Sequence, residues 1–140
     1  MNNNVYYELE RIRRINRGFL KPADVVSEAQ HPESVLHPYF EWNDTKAAHE
    51  HRLEQARKLI RVSVTILPGA EDYGPIRAYV KLNDDNPNQG YRASTEVLSD
   101  THNRKRLLDQ ALKEMATFRN KYRVLTELAE IFKAMDDIAS

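Results

Sequence analysis

The sequence predicts an α+β fold: an N-terminal helical cluster of helix-turn-helix-like layout, a three-stranded antiparallel sheet, and a long C-terminal helix or helical hairpin. Three observations predict it. Apolar residues recur at helical spacing as far as Ile60, the period drops to two from Arg61, and neither glycine nor proline occurs between Arg104 and Ile138. At 140 residues the chain reads as a single domain, with an N-terminal helix or arm over 1–18, the helical cluster over 19–60, the sheet over 61–98 and the C-terminal helical region over 99–140.

The first helix is expected from Val5 to Arg17, with Val5, Leu9, Ile12 and Ile15 or Asn16 on its inner face and Arg11, Arg13, Arg14 and Arg17 projecting the other way. Gly18 ends it. Pro22 then opens a two-turn helix, since its ring presets φ and it has no donor to lose in a first turn. Val25, Val26 and Ala29 form that helix's buried edge, and His31-Pro32 stops it. Ser34 caps a brief turn ending before Pro38. Asn43 or Asp44 caps a firm helix from Thr45, whose inner stripe is Ala48, Leu53, Ala56, Leu59 and Ile60 and whose outer side carries Glu50, Glu54, Arg57, Lys58 and Arg61.

Three strands are expected next. Val62, Val64 and Ile66 alternate with Ser63 and Thr65; Ile76, Ala78, Val80 and Leu82 alternate with Arg77, Tyr79 and Lys81; and Tyr91 to Leu98 follows the polar loop 83–90. Their short connections favour a meander. Beyond a cap at Ser99 or Asp100, Leu108, Met115, Tyr122 and Ala129 recur every seven residues, with Ala111, Phe118, Leu125 and Phe132 three further on. As one piece this helix would measure about 50 Å at ~1.5 Å per residue. It therefore either breaks near Thr126 and packs back or projects and pairs with a second copy.

Composition narrows the function. Charged residues make up 30% of the chain but cancel to a net charge of zero, so any grip on nucleic acid must be local. With no cysteine there is no disulfide and no thiolate ligand or nucleophile, which fits a reducing compartment. The N-terminus lacks a signal-peptide pattern and no apolar run reaches the ~20 residues of a membrane span, so the expectation is a soluble, untargeted protein. His49 and His51 point roughly 200° apart on a helix and miss the zinc-binding spacing. No serine stands in a nucleophile elbow, the four glycines form no phosphate loop, and Asn83-Asp84-Asp85-Asn86 lacks the ligand pattern of a calcium loop. No enzyme, metal or cofactor is expected.

Two surfaces remain as nucleic-acid candidates. Arg61, Arg77, Tyr79, Lys81 and Arg92 would interleave cations with an aromatic ring on one sheet face. Lys46, His49, Arg52 and Arg57 would lie near the start and outside of the helix after Asp44. For a protein partner the candidates are Tyr39, Phe40 and Trp42, and Phe118, Tyr122 and Phe132 in the terminal region, where self-association is also expected. That region begins basic at Arg104-Lys105-Arg106 and ends acidic at Asp136-Asp137, a polarity suited to head-to-tail or antiparallel pairing.

The runs Ala23-Asp24-Val25-Val26-x-x-Ala29 and Ser34-x-Leu36-His37-x-x-Phe40-Glu41-Trp42-x-Asp44-x-x-Ala47-Ala48-x-x-x-Arg52-x-x-Gln55-Ala56-Arg57-x-Leu59-Ile60 resemble a family of small, uncharacterised phage and prophage proteins. The likeness continues through Val97-Leu98-Ser99-Asp100 into the Tyr122, Leu125, Leu128, Ala129 series. It implies a phage-encoded protein in a bacterial host cytoplasm and brings no catalytic residues. The expected function is a non-enzymatic, DNA-associated regulator binding through a local basic surface; the alternative is an accessory or anti-defence protein that engages a host protein.

Overall fold

A computed structural model describes residues 3–43 and 48–140. They form two compact units, Met1–Val97 and Leu98–Ser140. The first holds helices α1 (Asn3–Ile15), α2 (Pro22–Ala29) and α3 (Ala48–Val62) with strands β1 (Phe19–Leu20), β2 (Val64–Ile66), β3 (Pro75–Arg77), β4 (Tyr79–Val80) and β5 (Tyr91–Ala93). A short helix, α4 (Ser94–Ser99), leads out of it into α5 (Thr101–Tyr122) and α6 (Ala129–Ala139). The architecture is α+β with a three-stranded antiparallel sheet and C-terminal helices.

α1 buries Val5, Leu9 and Ile12 as its spacing requires, but Ile15 is exposed and Arg13, expected outside, is almost wholly buried. Chemistry explains the exception. Arg13 donates from Nε and Nη2 to both carboxylate oxygens of Glu10 (2.7 and 3.0 Å), and from Nη1 to the Gly18 carbonyl (3.2 Å) and Glu96 (3.1 Å). The hydroxyl of fully buried Tyr79 donates to the same Glu10 at 2.9 Å. A guanidinium can leave water only when its donors are largely met, and here four hydrogen bonds to Glu10, the Gly18 carbonyl and Glu96 do so. Burial pushes the Glu10 carboxyl up, but hydrogen bonds from Arg13 and Tyr79 and the charges of Arg13 and Arg14 outweigh it and hold it below the ordinary carboxylate range.

The three-stranded sheet runs in the order β1, β5, β4, and a separate two-stranded sheet joins β2 to β3. The expected meander of three strands within 61–98 is corrected on two points. Its edge strand comes from Phe19-Leu20, which pairs with Arg92 and Tyr91. The third expected strand stops at Ala93, and 94–99 is helical. Ala78 joins the two sheets: its N–H donates to the Ser63 carbonyl and its own carbonyl accepts from the Ser94 N–H, both at 2.9 Å. The Ser94 hydroxyl donates to the Arg77 carbonyl (2.6 Å), so the end of β5 is held to the β3–β4 corner.

α2 begins at Pro22 and buries Val25, Val26 and Ala29 as expected. It packs on α3, whose Ala56, Leu59 and Ile60 face the core along with Leu20, Leu36, Phe40 and Tyr91. Each fully buried aliphatic side chain contributes about 1.5–3 kcal/mol relative to exposure. The Ser34 turn continues through Pro38 as a 3-10 helix, His37–Tyr39, instead of ending before it. The segment between α2 and α3 is far longer than a helix-turn-helix turn.

In the second unit, Asp100 caps α5 by accepting from the Asn103 N–H at 2.9 Å. The hairpin form of the C-terminal region is realised. α5 ends at Tyr122, a 3-10 turn covers Thr126–Leu128, and α6 returns against α5 through Phe118 and Phe132 (ring centres 6.2 Å) and Arg119 and Asp136 (2.9 Å).

Two outcomes test this frame. Gly90 has φ of 97°, and a Cβ there would stand 2.9 Å from the Leu20 carbonyl oxygen, so Gly90→Ala should destabilise by about 1–3 kcal/mol in urea unfolding. Because its folded-state pKa is depressed, Glu10 contributes stability that is present above the unfolded-state value of about 4.3 and is lost as pH falls through the folded-state value. Glu10→Gln should therefore flatten the acid limb of the stability profile. At neutral pH it should cost about 2–4 kcal/mol, the low side of a broken buried pair because Glu96 and the Gly18 carbonyl remain.

Candidate interaction surfaces

The stretch around the single tryptophan is a joint tied together from both sides. His37 donates from Nδ1 to the Ala29 carbonyl (2.8 Å), fixing the turn to the end of α2. The Trp42 indole N–H donates to the His37 carbonyl (2.9 Å) and its ring stacks on the imidazole at 4.9 Å and 8°. Arg52 of α3 places its guanidinium 5.0 Å from the Trp42 ring centre while donating to the carbonyls of Glu41 (3.0 Å) and Asn43 (3.2 Å). Gln55 accepts from the Glu41 N–H at 3.1 Å. Phe40 is buried beside Trp42, with ring centres 5.5 Å apart. Of the three aromatic candidates here, Tyr39 is the one turned outward, 43% exposed.

The nucleic-acid candidates do not assemble into one surface. Asp44, Thr45, Lys46 and Ala47 lie outside the described residues, and with them the expected cap at Asp44, the start at Thr45 and the candidate Lys46. His49 is exposed, but Arg52 is spent on the joint, and Arg57 and Arg61 share the one carboxylate of Glu54 at 3.1 and 3.2 Å. Those two hydrogen bonds hold the Glu54 carboxyl below its ordinary range. The expected sheet face is not formed, because Arg77 sits opposite Val64 in the two-stranded sheet while Tyr79 and Arg92 belong to the other. Directly opposed residues share a face. Arg92 therefore lies with Val80 and Phe19, and Tyr79 with Ala93 on the buried side. Arg92 is held bidentately by Asp85 (2.7 and 3.0 Å) and stands over Phe19; Lys81 stands over Tyr91.

Phe118, Tyr122 and Phe132 cluster at the turn of the hairpin, with Phe132 buried and Phe118 45% exposed. They serve its closure first.

A groove that the sequence does not announce lies along α3. It measures about 530 Å³ and is lined by Tyr39, His51, Gln55, Leu59 and Val62, with Glu54, Lys58 and Arg61 among its walls. Two signals were present in the sequence: Val62 falls one helical turn beyond Leu59, and Tyr39 leaves a turn whose neighbours Leu36 and Phe40 are core. Val64 and Ile66 of β2 continue exposed beyond Val62, the last residue of α3, while Ser63 between the two elements is buried and Thr65 half-buried.

Among the described residues no group of three or more histidines and carboxylates is placed to hold a metal ion, and no helix is long and apolar enough to cross a membrane. No family model matches the chain, and neither does any curated protein or solved structure.

The joint makes Trp42 a reporter. Arg52→Ala removes two carbonyl contacts and the cation over the ring, and should destabilise by about 1–2 kcal/mol while raising acrylamide quenching of the single tryptophan. Unchanged quenching would show that Arg52 does not hold the indole in place.

Proposed function

We propose that this chain is a non-enzymatic protein that works by binding another protein through the Tyr39 groove, as a phage-encoded accessory or anti-defence factor engaging a host protein. The groove carries the reading: it is a concave, largely apolar surface whose walls are fixed from beneath. Tyr39 projects from a turn tied to α2 and α3, and Leu59 and Val62 project from α3 itself. Such a site pre-pays the ordering cost of binding and takes an apolar anchor from the partner, with Glu54, Lys58 and Arg61 available to charged flanks. The resemblance of the Ser34 to Ile60 stretch to phage proteins supports the setting, a bacterial host cytoplasm.

A DNA-associated regulatory role draws on fewer cations. Arg52, Arg57, Arg61 and Arg92 are engaged within the fold, which leaves such a role to exposed residues such as Arg14, Arg17 and Arg77.

Capture from host lysate separates the two. Tyr39→Ala and Val62→Asp should each lose the partner, weakening binding by about 2 kcal/mol, roughly 30-fold, with helix content and Trp42 emission unchanged. A partner retained at full affinity by Val62→Asp would remove the groove from the reading. Retention of duplex DNA at low salt, falling steeply as salt rises, would favour the regulator instead.

A further inference from the structure

The second unit carries an inference independent of the groove. α5 has 22 residues and buries none of them. Its apolar side chains are nevertheless patterned: at ~100° per residue, Leu107, Phe118, Ala111, Tyr122, Met115, Leu108 and Leu112 fall in that order across one continuous arc. α6 has 11 residues, so at ~1.5 Å per residue it measures about 16 Å against about 33 Å for α5. Folding back from the turn, it covers only the C-terminal half.

The uncovered N-terminal half has its own groove, about 470 Å³, where Leu98, Leu107, Leu108 and Ala111 line the space and Arg104 and Lys105 stand among its walls. Leu108 is 53% exposed. α6, for its part, turns only one edge to α5, through Phe132 and Asp136. Ile131 and Ile138, seven residues apart and so on one face, are 55% and 62% exposed. Glu130 and Asp137 each immediately precede an isoleucine and flank it, and Glu127 stands in the 3-10 turn just before α6.

We infer that the occupant of the α5 groove is α6 of a second copy of this chain, in a two-fold antiparallel pairing of the hairpins. Length, apolarity and charge agree on it. The 11-residue helix matches the uncovered half of α5, Ile131 and Ile138 meet Leu107 and Leu108, and the acidic flank meets Arg104 and Lys105. The two-fold makes the contact reciprocal, each copy giving its α6 and receiving the other's. The result is a four-helix arrangement in which the stripe of α5 is covered along its whole length.

The test uses the full chain in sedimentation velocity. The wild type should dimerise by about 100 µM, with the dissociation constant rising with salt, and Leu108→Asp should raise it about 30-fold. A charge exchange guards against mere unfolding of the hairpin. Arg104→Glu with Lys105→Glu in one chain, and Glu130→Lys with Asp137→Lys in another, should each weaken self-association about tenfold. Mixed in equal amounts they should form a heterodimer of wild-type strength, because both reciprocal contacts are then complementary. A wild type that stays monomeric at that concentration, a dimer indifferent to all these changes, or reversed chains that fail to associate on mixing would each overturn the inference.

Discussion

A buried guanidinium sets the terms for the first unit. Arg13 lies under the protein surface with Glu10, the Gly18 carbonyl and Glu96 as its acceptors, and Glu10 in turn accepts from Tyr79. Removing such a charge from water costs several kcal/mol, which only close, well-aligned partners offset. With Tyr79, which bonds Glu10, the network draws on four places in the chain: α1 itself, the turn after it, strand β4 and helix α4. Meeting these partners holds the chain leaving α1 where Phe19 and Leu20 reach β5, and draws Tyr79 into the core beside Tyr6, with ring centres 6.5 Å apart. The hydrophobic contacts supply most of the favourable free energy, yet they are indifferent to small sliding; the directional bonds of Arg13 are not.

The same network marks the limit of what periodicity reveals. α1, α2 and α3 were legible because their apolar residues recur within the helix itself, and Gly18 after α1, Pro22 at the start of α2 and Asp100 before α5 mark helix ends through local backbone chemistry. Arg13 was not legible, since nothing in the spacing tells an arginine that points at solvent from one that donates to a glutamate 83 positions later. β1 is two residues long and carries no alternation to detect. The stretch after Ala93 does alternate, with Thr95 and Val97 continuing the phase of Tyr91 and Ala93, but Ser94 bonds to the Arg77 carbonyl and the Ala78 carbonyl, and the chain turns helical there. A tertiary hydrogen bond outweighed a local pattern.

For the candidate surfaces, charge was legible and its commitments were not. An arginine read in sequence is a cation available to phosphate; in the fold Arg52 clamps an aromatic joint, and Arg57 and Arg61 share one glutamate. Surface pairs such as these two contribute little stability, but they compete with any external anion for the same donors. The stretch 62–66, from the end of α3 into β2, inverts the usual logic as well. Its small polar residues face inward, with the Ser63 hydroxyl buried and without a hydrogen-bond partner, while Val62, Val64 and Ile66 face out. This leaves an unpaired polar group inside and apolar side chains outside, and both are costs in an isolated chain.

The two units differ in how their apolar residues are spent. In Met1–Val97 the helices and sheet enclose a shared core from Val5 to Tyr91. In Leu98–Ser140 the one buried hydrophobic residue is Phe132, although α5 and α6 are both amphipathic. A segment of this size rarely has enough core to hold itself together, and long helices draw most of their stability from packing an apolar face and little from intrinsic propensity. Capping by Asp100 contributes about 0.5–2 kcal/mol and the exposed Arg119–Asp136 pair at most about 1 kcal/mol, too little to replace a covered stripe. In the pairing proposed for the hairpin, helicity and assembly are linked quantities, and concentration would act on both.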